Sequence, residues 1–456
     1  MESYTTGEIA DVVGGELRGE SDIIISDLTT DSRNGGSQSI FVAIKGERFD
    51  GNDFAEGFLE NGAAVLVDRE VKVPGKKAAI IVEDTRKALC TLARNYRERF
   101  KIPVIGVTGS VGKTSTKDMI ASVLSQGFNT LKNQGNFNND IGLPLTVFNL
   151  TRQHEAAVLE MGMSNFGEIS LLTSIAQPRI AVLTNIGTAH IGNLGSQQNI
   201  LKAKLEILEK LEPGGIVVLN ADDKILYSLK GKLPHTMIYY GIDNQKADVI
   251  ATDIILGNDK SKFRVEISGS LYCFEVNEIG QHHIYNALAA VIIGMYFKMD
   301  VNDIIRGVSN FSTQGMRQKI EKIGGITLIE DCYNASATSM EAALKVLSQV
   351  GGANRKIAVL GDILEQGRFA EREHRYVGEC VAKFEINKLV TVGSDAKYIA
   401  EQSISLGVSD VVSFDTNSEA LKYLKSDLKP GDTVLFKASR GMKLEEISTG
   451  VKEFLK

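Results

Sequence analysis

Residues 104–117 read Val-Ile-Gly-Val-Thr-Gly-Ser-Val-Gly-Lys-Thr-Ser-Thr-Lys, a short apolar run entering a glycine-rich turn that ends in Gly112, Lys113 and Thr114. These residue types at this spacing make a phosphate cradle. Glycines let backbone N–H groups wrap a triphosphate, the lysine neutralises its outer oxygens, and the hydroxyl after the lysine is placed to ligate Mg²⁺. The expected contacts of ATP or GTP are therefore Thr108, Gly109, Ser110, Val111, Gly112, Lys113, Thr114 and Ser115. The common form of the motif has a glycine where this chain has Val107, so the match is to a shortened form starting at Thr108. A bare strand-to-helix turn of an ordinary α/β domain is the competing reading.

Further polar residues follow other apolar runs, where open α/β sheets place their ligands. Glu160 follows the run 156–159, and Thr184, Asn185 and His190 follow the run 180–183. An acid and an imidazole at neighbouring strand ends suit Mg²⁺ held against a triphosphate, completing the octahedron that the phosphates and Thr114 begin. Singly, each is equally a solvated loop residue.

The elements that must carry these residues follow from the chain's periodicity. At 456 residues there is room for roughly two to four domains. Residues 1–98 mix short strands (23–26, 39–44) with helices (54–61, 85–100), and Pro103 marks a boundary. Over residues 99–312 apolar runs (156–159, 180–183, 216–219) alternate with helical patterns, and a strand-rich insertion covers 236–276. That alternation predicts a mostly parallel sheet covered by helices. Residues 313–456 hold five strand–helix units, with strands near 327–330, 357–360, 389–392, 411–414 and 433–436, a Rossmann-like doubly wound pattern. The expected fold is α/β in three domains: 1–98, 99–312 and 313–456.

Composition narrows the partners. Lys+Arg of 51 against Asp+Glu of 57 gives a net charge of −6 with the signs interspersed, which argues against a broad nucleic-acid surface. The start is acidic and polar, unlike a secretory signal. The most apolar stretch, 287–297, falls short of the roughly 20 residues that span a bilayer. Cys90, Cys273, Cys332 and Cys380 are scattered, as are the six histidines, so no zinc pattern is present and a reducing cytoplasm is expected.

The segment 184–196, Thr-Asn-Ile-Gly-Thr-Ala-His-Ile-Gly-Asn-Leu-Gly-Ser, followed by Ala203-Lys204-Leu205-Glu206, resembles the Mur ligases of peptidoglycan synthesis. The shortened P-loop, Glu160-Met161-Gly162, 282–289 (His-His-Ile-Tyr-Asn-Ala-Leu-Ala), Gly315-Met316-Arg317, 331–335 (Asp-Cys-Tyr-Asn-Ala) and 437–441 (Lys-Ala-Ser-Arg-Gly) are similar to that family too. Within it, 30–33 (Thr-Asp-Ser-Arg), Phe41-Val42-Ala43, 46–51 (Gly-Glu-Arg-Phe-Asp-Gly), 136–144 (Asn-Phe-Asn-Asn-Asp-Ile-Gly-Leu-Pro) and 360–365 (Leu-Gly-Asp-Ile-Leu-Glu) look most like the member that joins D-alanyl-D-alanine to UDP-N-acetylmuramoyl-tripeptide.

The resemblance implies an ATP-dependent amide ligase working through an acyl phosphate, with a first domain that binds the UDP precursor. It implies that Thr114 and Glu160 hold one Mg²⁺, and that His190 and a carbamylated Lys204 help hold a second. Lys113 would be catalytic together with Glu160, His190 and Lys204. Asn286, Arg317 and Asp331 would contact ATP, with Tyr333 and Asn334 nearby. Ser32 and Arg33 would meet the UDP end, Asn138 and Asn139 the sugar-peptide, and Ser439 and Arg440 the dipeptide. The expected form is a cytoplasmic monomer without nucleic-acid or membrane partners.

Bland alternatives stand beside these roles: Lys204 as a solvated helix lysine, Arg317 as a surface cation, and 31–33 as a plain turn. A sister ligase adding a single amino acid, a folate-type polyglutamate ligase and a silent precursor-binding scaffold are the alternative functions. The chain departs from the family's Tyr-Asn-Ala-Asn-Pro, having Ser336 and Ala337 at the last two places, and carries Ala438 and Gln366 where glycine and leucine are common.

Overall fold

The computed structural model describes every residue except Glu47, Asn258 and Gln314, so the Glu47 position of the 46–51 motif lies outside the described residues. The chain divides into two compact units. One comprises residues 1–108, 127–182 and 204–217, the other residues 109–126, 183–203 and 218–456.

The first unit holds a five-stranded sheet in the order Glu16–Gly19, Ala78–Ile81, Ala64–Val67, Ser39–Val42, Asp27–Thr29. Its outer strand Glu16–Gly19 is antiparallel and the rest pair in parallel. Ala64–Val67 and Ser39–Val42 are buried at every residue, as parallel strands covered on both faces must be. Helix Thr85–Glu98 starts where the Asp84 side chain accepts from Lys87 N, and it buries Ala88, Leu89, Leu92, Ala93 and Tyr96 along one face. The helix expected over 54–61 is shorter: a 3₁₀ turn, Gly51–Phe54, leads into Ala55–Phe58 alone. After the turn the Phe58 ring packs where a Cβ on residue 62 would stand, 1.9 Å away, an approach that Gly62 permits.

The linker out of that helix is stitched by Arg97, which is 3% exposed. Its guanidinium donates to the carbonyls of Ala176 (3.1 Å), Phe100 (2.5 Å) and Ile102 (3.0 Å). Beyond it, Ala156–Glu160 pairs in parallel with Val104–Thr108 on one side and Thr130–Lys132 on the other, setting Glu160 opposite Val107.

The second unit carries a six-stranded sheet in the order Lys319–Ile323, Ile326–Glu330, Thr433–Lys437, Lys356–Gly361, Lys388–Val392, Val411–Phe414. The last five are the five expected strands, each within one residue of its expected ends, and they pair in parallel. Helices follow each of them, and two apolar clusters, one around Leu344 and Val377, the other around Leu424 and Ile447, cover the sheet. Lys319–Ile323 is an antiparallel edge that the apolar-run reading did not anticipate. The strand-rich insertion forms the parallel pair Thr236–Gly241 and Val249–Ile250 and the meander Thr252–Leu256, Ser261–Ile267, Ser270–Val276. The apolar stretch 287–297 lies largely in helix Gln281–Tyr296, which is packed in the protein, and among the described residues no helix is long and apolar enough to cross a membrane.

Candidate active site

The glycine turn is shaped by the polar residues after the run 180–183. Asn185 accepts from Val111 N through its side chain (3.0 Å) and from Ser110 N through its carbonyl (3.0 Å), and its amide donates back to the Val111 carbonyl (2.9 Å). Thr184 Oγ1 donates to that same carbonyl at 2.6 Å. Gly109 is required here: its φ is 152°, and a Cβ would sit 1.9 Å from Thr184 Oγ1. Lys113 opens helix Lys113–Leu124 and folds its ammonium onto the Gly109 carbonyl at 2.9 Å, across the mouth of the turn. The N-terminus of helix Lys113–Leu124, with the Lys113 ammonium beside it, suits an anion.

Asn286 packs beside this turn, accepting from Thr116 Oγ1 at 2.9 Å. Its Nδ2 is buried and, among the described residues, has no hydrogen-bond partner. A buried donor left without an acceptor beside a phosphate cradle is suited to meet a ligand there. Both ring nitrogens of His283 are orphaned in the same way. Burial drives the His283 imidazole well below its usual pKa and pushes His282 down to about 4, although Asp331 pulls the latter upward.

In the first unit, Glu160 ends its strand with a side chain only 2% exposed. Asn138 Nδ2 donates to its Oε1 at 2.7 Å. Asn133 clamps the same residue's backbone, accepting from Glu160 N (2.9 Å) and donating to its carbonyl (3.0 Å). Thr108 Oγ1 donates to the Met161 carbonyl at 2.9 Å. Asn139 accepts from Gly142 N at 2.8 Å, starting helix Gly142–Val147. Lys204, in helix Gln197–Leu205, is 2% exposed, so it is no solvated lysine. Ser32 is half-buried, while Arg33 is exposed and forked onto Asp31 at 2.7 and 2.8 Å. That hydrogen bonding holds the Asp31 carboxyl down at about 2.

Two adjacent strands of the six-stranded sheet end in charged residues, Glu330 and Lys437, and the next, Lys356–Gly361, runs into Asp362. Lys437, 2% exposed, donates to Asp331 Oδ2 at 2.5 Å and to the Asn334 carbonyl at 3.1 Å. The Arg317 guanidinium stacks on the Tyr333 ring 3.9 Å from its centroid, so it is not a bare surface cation. Ser439 Oγ accepts from Leu364 N at 2.9 Å, and Arg440 is exposed and paired with Glu445 at 2.7 Å. His190, with φ 61°, meets Glu365 of the same unit at 2.5 Å.

Comparison with known proteins gives these residues a context. Three family descriptions match in succession: Mur ligase family, catalytic domain over residues 24–97; Mur ligase middle domain over 107–294; and Mur ligase, glutamate ligase domain over 316–440. The UDP-N-acetylmuramoyl-tripeptide–D-alanyl-D-alanine ligase of Bacillus subtilis is 40% identical over 456 residues, 98% of each chain. The chain belongs to the Mur ligase family. The Escherichia coli protein of the same name is 34% identical over 99% of each chain. A crystal structure of MurF from Acinetobacter baumannii matches with a TM-score of 0.91 at 31% identity, covering 99% of each chain. MurF ligase from Thermotoga maritima in complex with ADP matches with a TM-score of 0.83 at 28% identity, covering 94% of this chain and 97% of that one.

Against the Mur ligase pattern, the departures keep their local geometry. Ser336 caps helix Ala337–Gly351 through a reciprocal pair with Ser339. Gln366 is buried and ties its amide to the Leu364 carbonyl at 2.9 Å. Asn133, Glu365 and Glu373 were not singled out by sequence reasoning. Glu365 was quoted only as the end of a motif, and Asn133 sits in Lys132-Asn133-Gln134-Gly135, which reads as a turn.

Proposed function

We propose that this Mur ligase adds D-alanyl-D-alanine to UDP-N-acetylmuramoyl-tripeptide with ATP, giving the UDP-N-acetylmuramoyl-pentapeptide of peptidoglycan synthesis. Full-length similarity to relatives of that name, at 40% identity for the Bacillus subtilis protein, carries this reading. The phosphate cradle of residues 108–115 supports it. The chain works as a cytoplasmic monomer in three domains, 1–98, 99–312 and 313–456.

A carboxylate is a poor electrophile at neutral pH, so the γ-phosphate of ATP passes first to the tripeptide's terminal carboxylate. The acyl phosphate is then attacked by the dipeptide's amine, and inorganic phosphate leaves. Lys113 stabilises the charge that develops on the transferred phosphoryl group. Asn286, Arg317 and Asp331 bind the nucleotide. The donor set fits magnesium, since Thr114 and Glu160 offer hard oxygens and this ion takes few protein ligands beside substrate phosphates. When bound there, Mg²⁺ neutralises phosphate charge and polarises the acceptor carboxylate. His190 and Lys204 serve a second ion, Lys204 as its carbamate, because an ammonium has no lone pair to give.

Ser32 and Arg33 receive the UDP end. Asn138 and Asn139 position the sugar-peptide through the loop they shape, and Ser439 and Arg440 receive the dipeptide. Excluding water around the acyl phosphate prevents its hydrolysis.

The test is phosphate release by the purified protein with Mg·ATP and UDP-N-acetylmuramoyl-tripeptide, with and without D-alanyl-D-alanine, with the product mass followed. Release that needs all three substrates and yields the pentapeptide is the expected result. Turnover with a single amino acid instead assigns a sister ligase, and nucleotide binding without turnover refutes the enzyme reading.

A further inference from the structure

One loop of the six-stranded sheet reaches both the dipeptide-binding strand end and His190. Its start is pinned by Ser439, whose N–H donates to the Asp362 carbonyl (3.1 Å) and whose Oγ accepts from Leu364 N (2.9 Å). The next residue, Glu365, has φ 63°, uncommon for a residue with a Cβ. Its Oε2 lies 2.5 Å from His190 Nδ1, and its carbonyl accepts from Gly192 N at 3.2 Å. The approach depends on Gly192, where a Cβ would stand 2.5 Å from that carbonyl oxygen. A second tie runs parallel to the first: Thr188 Oγ1 donates to Glu373 Oε2 at 2.5 Å, and Glu373 is 5% exposed. His190 and Glu365 thus both hold left-handed backbone conformations, stabilised by contacts on either side.

We propose that Glu365 is a positioning residue that fixes the tautomer and orientation of His190. A carboxylate only accepts hydrogen bonds, so the hydrogen of the imidazole sits on Nδ1. The lone pair of the neutral ring then lies on Nε2, where a cation can use it. A histidine side chain in water favours the opposite tautomer. Glu365 therefore sets the imidazole for metal binding before the ion arrives. This inference rests on His190 as a cation ligand, as read above.

The experiment uses the full-length protein labelled with ¹⁵N-histidine at about pH 8, where an ordinary imidazole is neutral. The His190 signals are assigned by their loss in His190→Asn. Wild type is expected to show Nδ1–H, Glu365→Ala to move to Nε2–H, and Glu365→Gln, whose side-chain carbonyl still accepts, to keep Nδ1–H. Mn²⁺ binding in the presence of a non-hydrolysable ATP analogue is expected to weaken about 10- to 100-fold in Glu365→Ala and to recover in Glu365→Gln. An unchanged tautomer in Glu365→Ala overturns the positioning role. A switched tautomer with unchanged Mn²⁺ affinity overturns the link from Glu365 to the cation. Failure of the ligase reading shows separately, as wild-type protein that releases no phosphate with the three substrates.

Discussion

Asn138 separates two accounts of the loop before helix Gly142–Val147. Its amide donates to Glu160 Oε1 at 2.7 Å, and Glu160 is 2% exposed, so water cannot readily replace the lost donor in Asn138→Ala. A hydrogen bond to a charged group contributes about 1.5–3 kcal/mol, and leaving the buried carboxylate without it misaims the group proposed to meet Mg²⁺. That corresponds to a loss of about 10- to 150-fold. The loss is expected in the Mg²⁺ dependence of turnover, with the half-saturating Mg²⁺ concentration raised and kcat lowered. The KM for the UDP precursor is expected to rise by less than the half-saturating Mg²⁺ concentration, because Asn133 still holds the loop through the Phe137 carbonyl at 2.7 Å and the Glu160 backbone. The assay is initial-rate phosphate release, titrated first against free Mg²⁺ and then against the precursor. A tenfold rise in precursor KM with an unchanged Mg²⁺ titration refutes the reasoning and leaves Asn138 a substrate contact alone.

Three other outcomes follow from buried groups. Lys204→Ala is expected to abolish ligation, with partial rescue by small carboxylic acids in solution; unimpaired turnover sinks the carbamate. Burial lowers the pKa of Arg97, which is held by three carbonyls, so Arg97→Met leaves acceptors unpaired and is expected to cost about 3 kcal/mol, read as a lower urea midpoint. Stability is also expected to fall between pH 6.5 and 4. Burial holds His282 at about 4 and His283 lower, so in that window the unfolded chain binds protons that the folded chain refuses. The stabilisation is fully present above pH 6.5 and is lost as the pH falls through the window. Urea midpoints at pH 7.5 and 5 measure it; a wild-type midpoint that does not move, or an undiminished drop in the variant with both histidines replaced by asparagine, refutes it.

The doubly wound sheet was legible because four of its five parallel strands are buried almost throughout and leave apolar runs in the sequence, and the outer one, Val411–Phe414, though only partly buried, still carries three apolar residues of its four. The sixth strand was not, since Lys319–Ile323 reads Lys-Ile-Glu-Lys-Ile, a charged edge with Lys319 and Lys322 in solvent and no residue fully buried. The phosphate cradle was legible because its conformation demands glycine at fixed places. Lys204 was not, because Lys202, two residues earlier on the same helix, is exposed while Lys204 is buried, and periodicity alone does not say which of the two faces inward. Asn133 and Glu365 escaped notice because their partners, Glu160 and His190, lie 27 and 175 residues away.

The departure at 336–337 shows how much of a motif is geometry and how much is chemistry. Where the family's asparagine and proline stand, Ser336 occupies the N-cap of helix Ala337–Gly351 and Ala337 its first turn. Serine and asparagine cap comparably, each offering a side-chain oxygen to an orphan N–H, and here the oxygen meets Ser339 N at 3.3 Å. Proline at the first helical position contributes a preset φ, which alanine adopts at a small entropic cost. The Asn334 carbonyl still faces Lys437, and Lys437 still meets Asp331. The substitution therefore changes the stiffness of the segment and leaves the Asp331–Lys437 pair in place, which is the part of the motif that the proposed nucleotide contact needs.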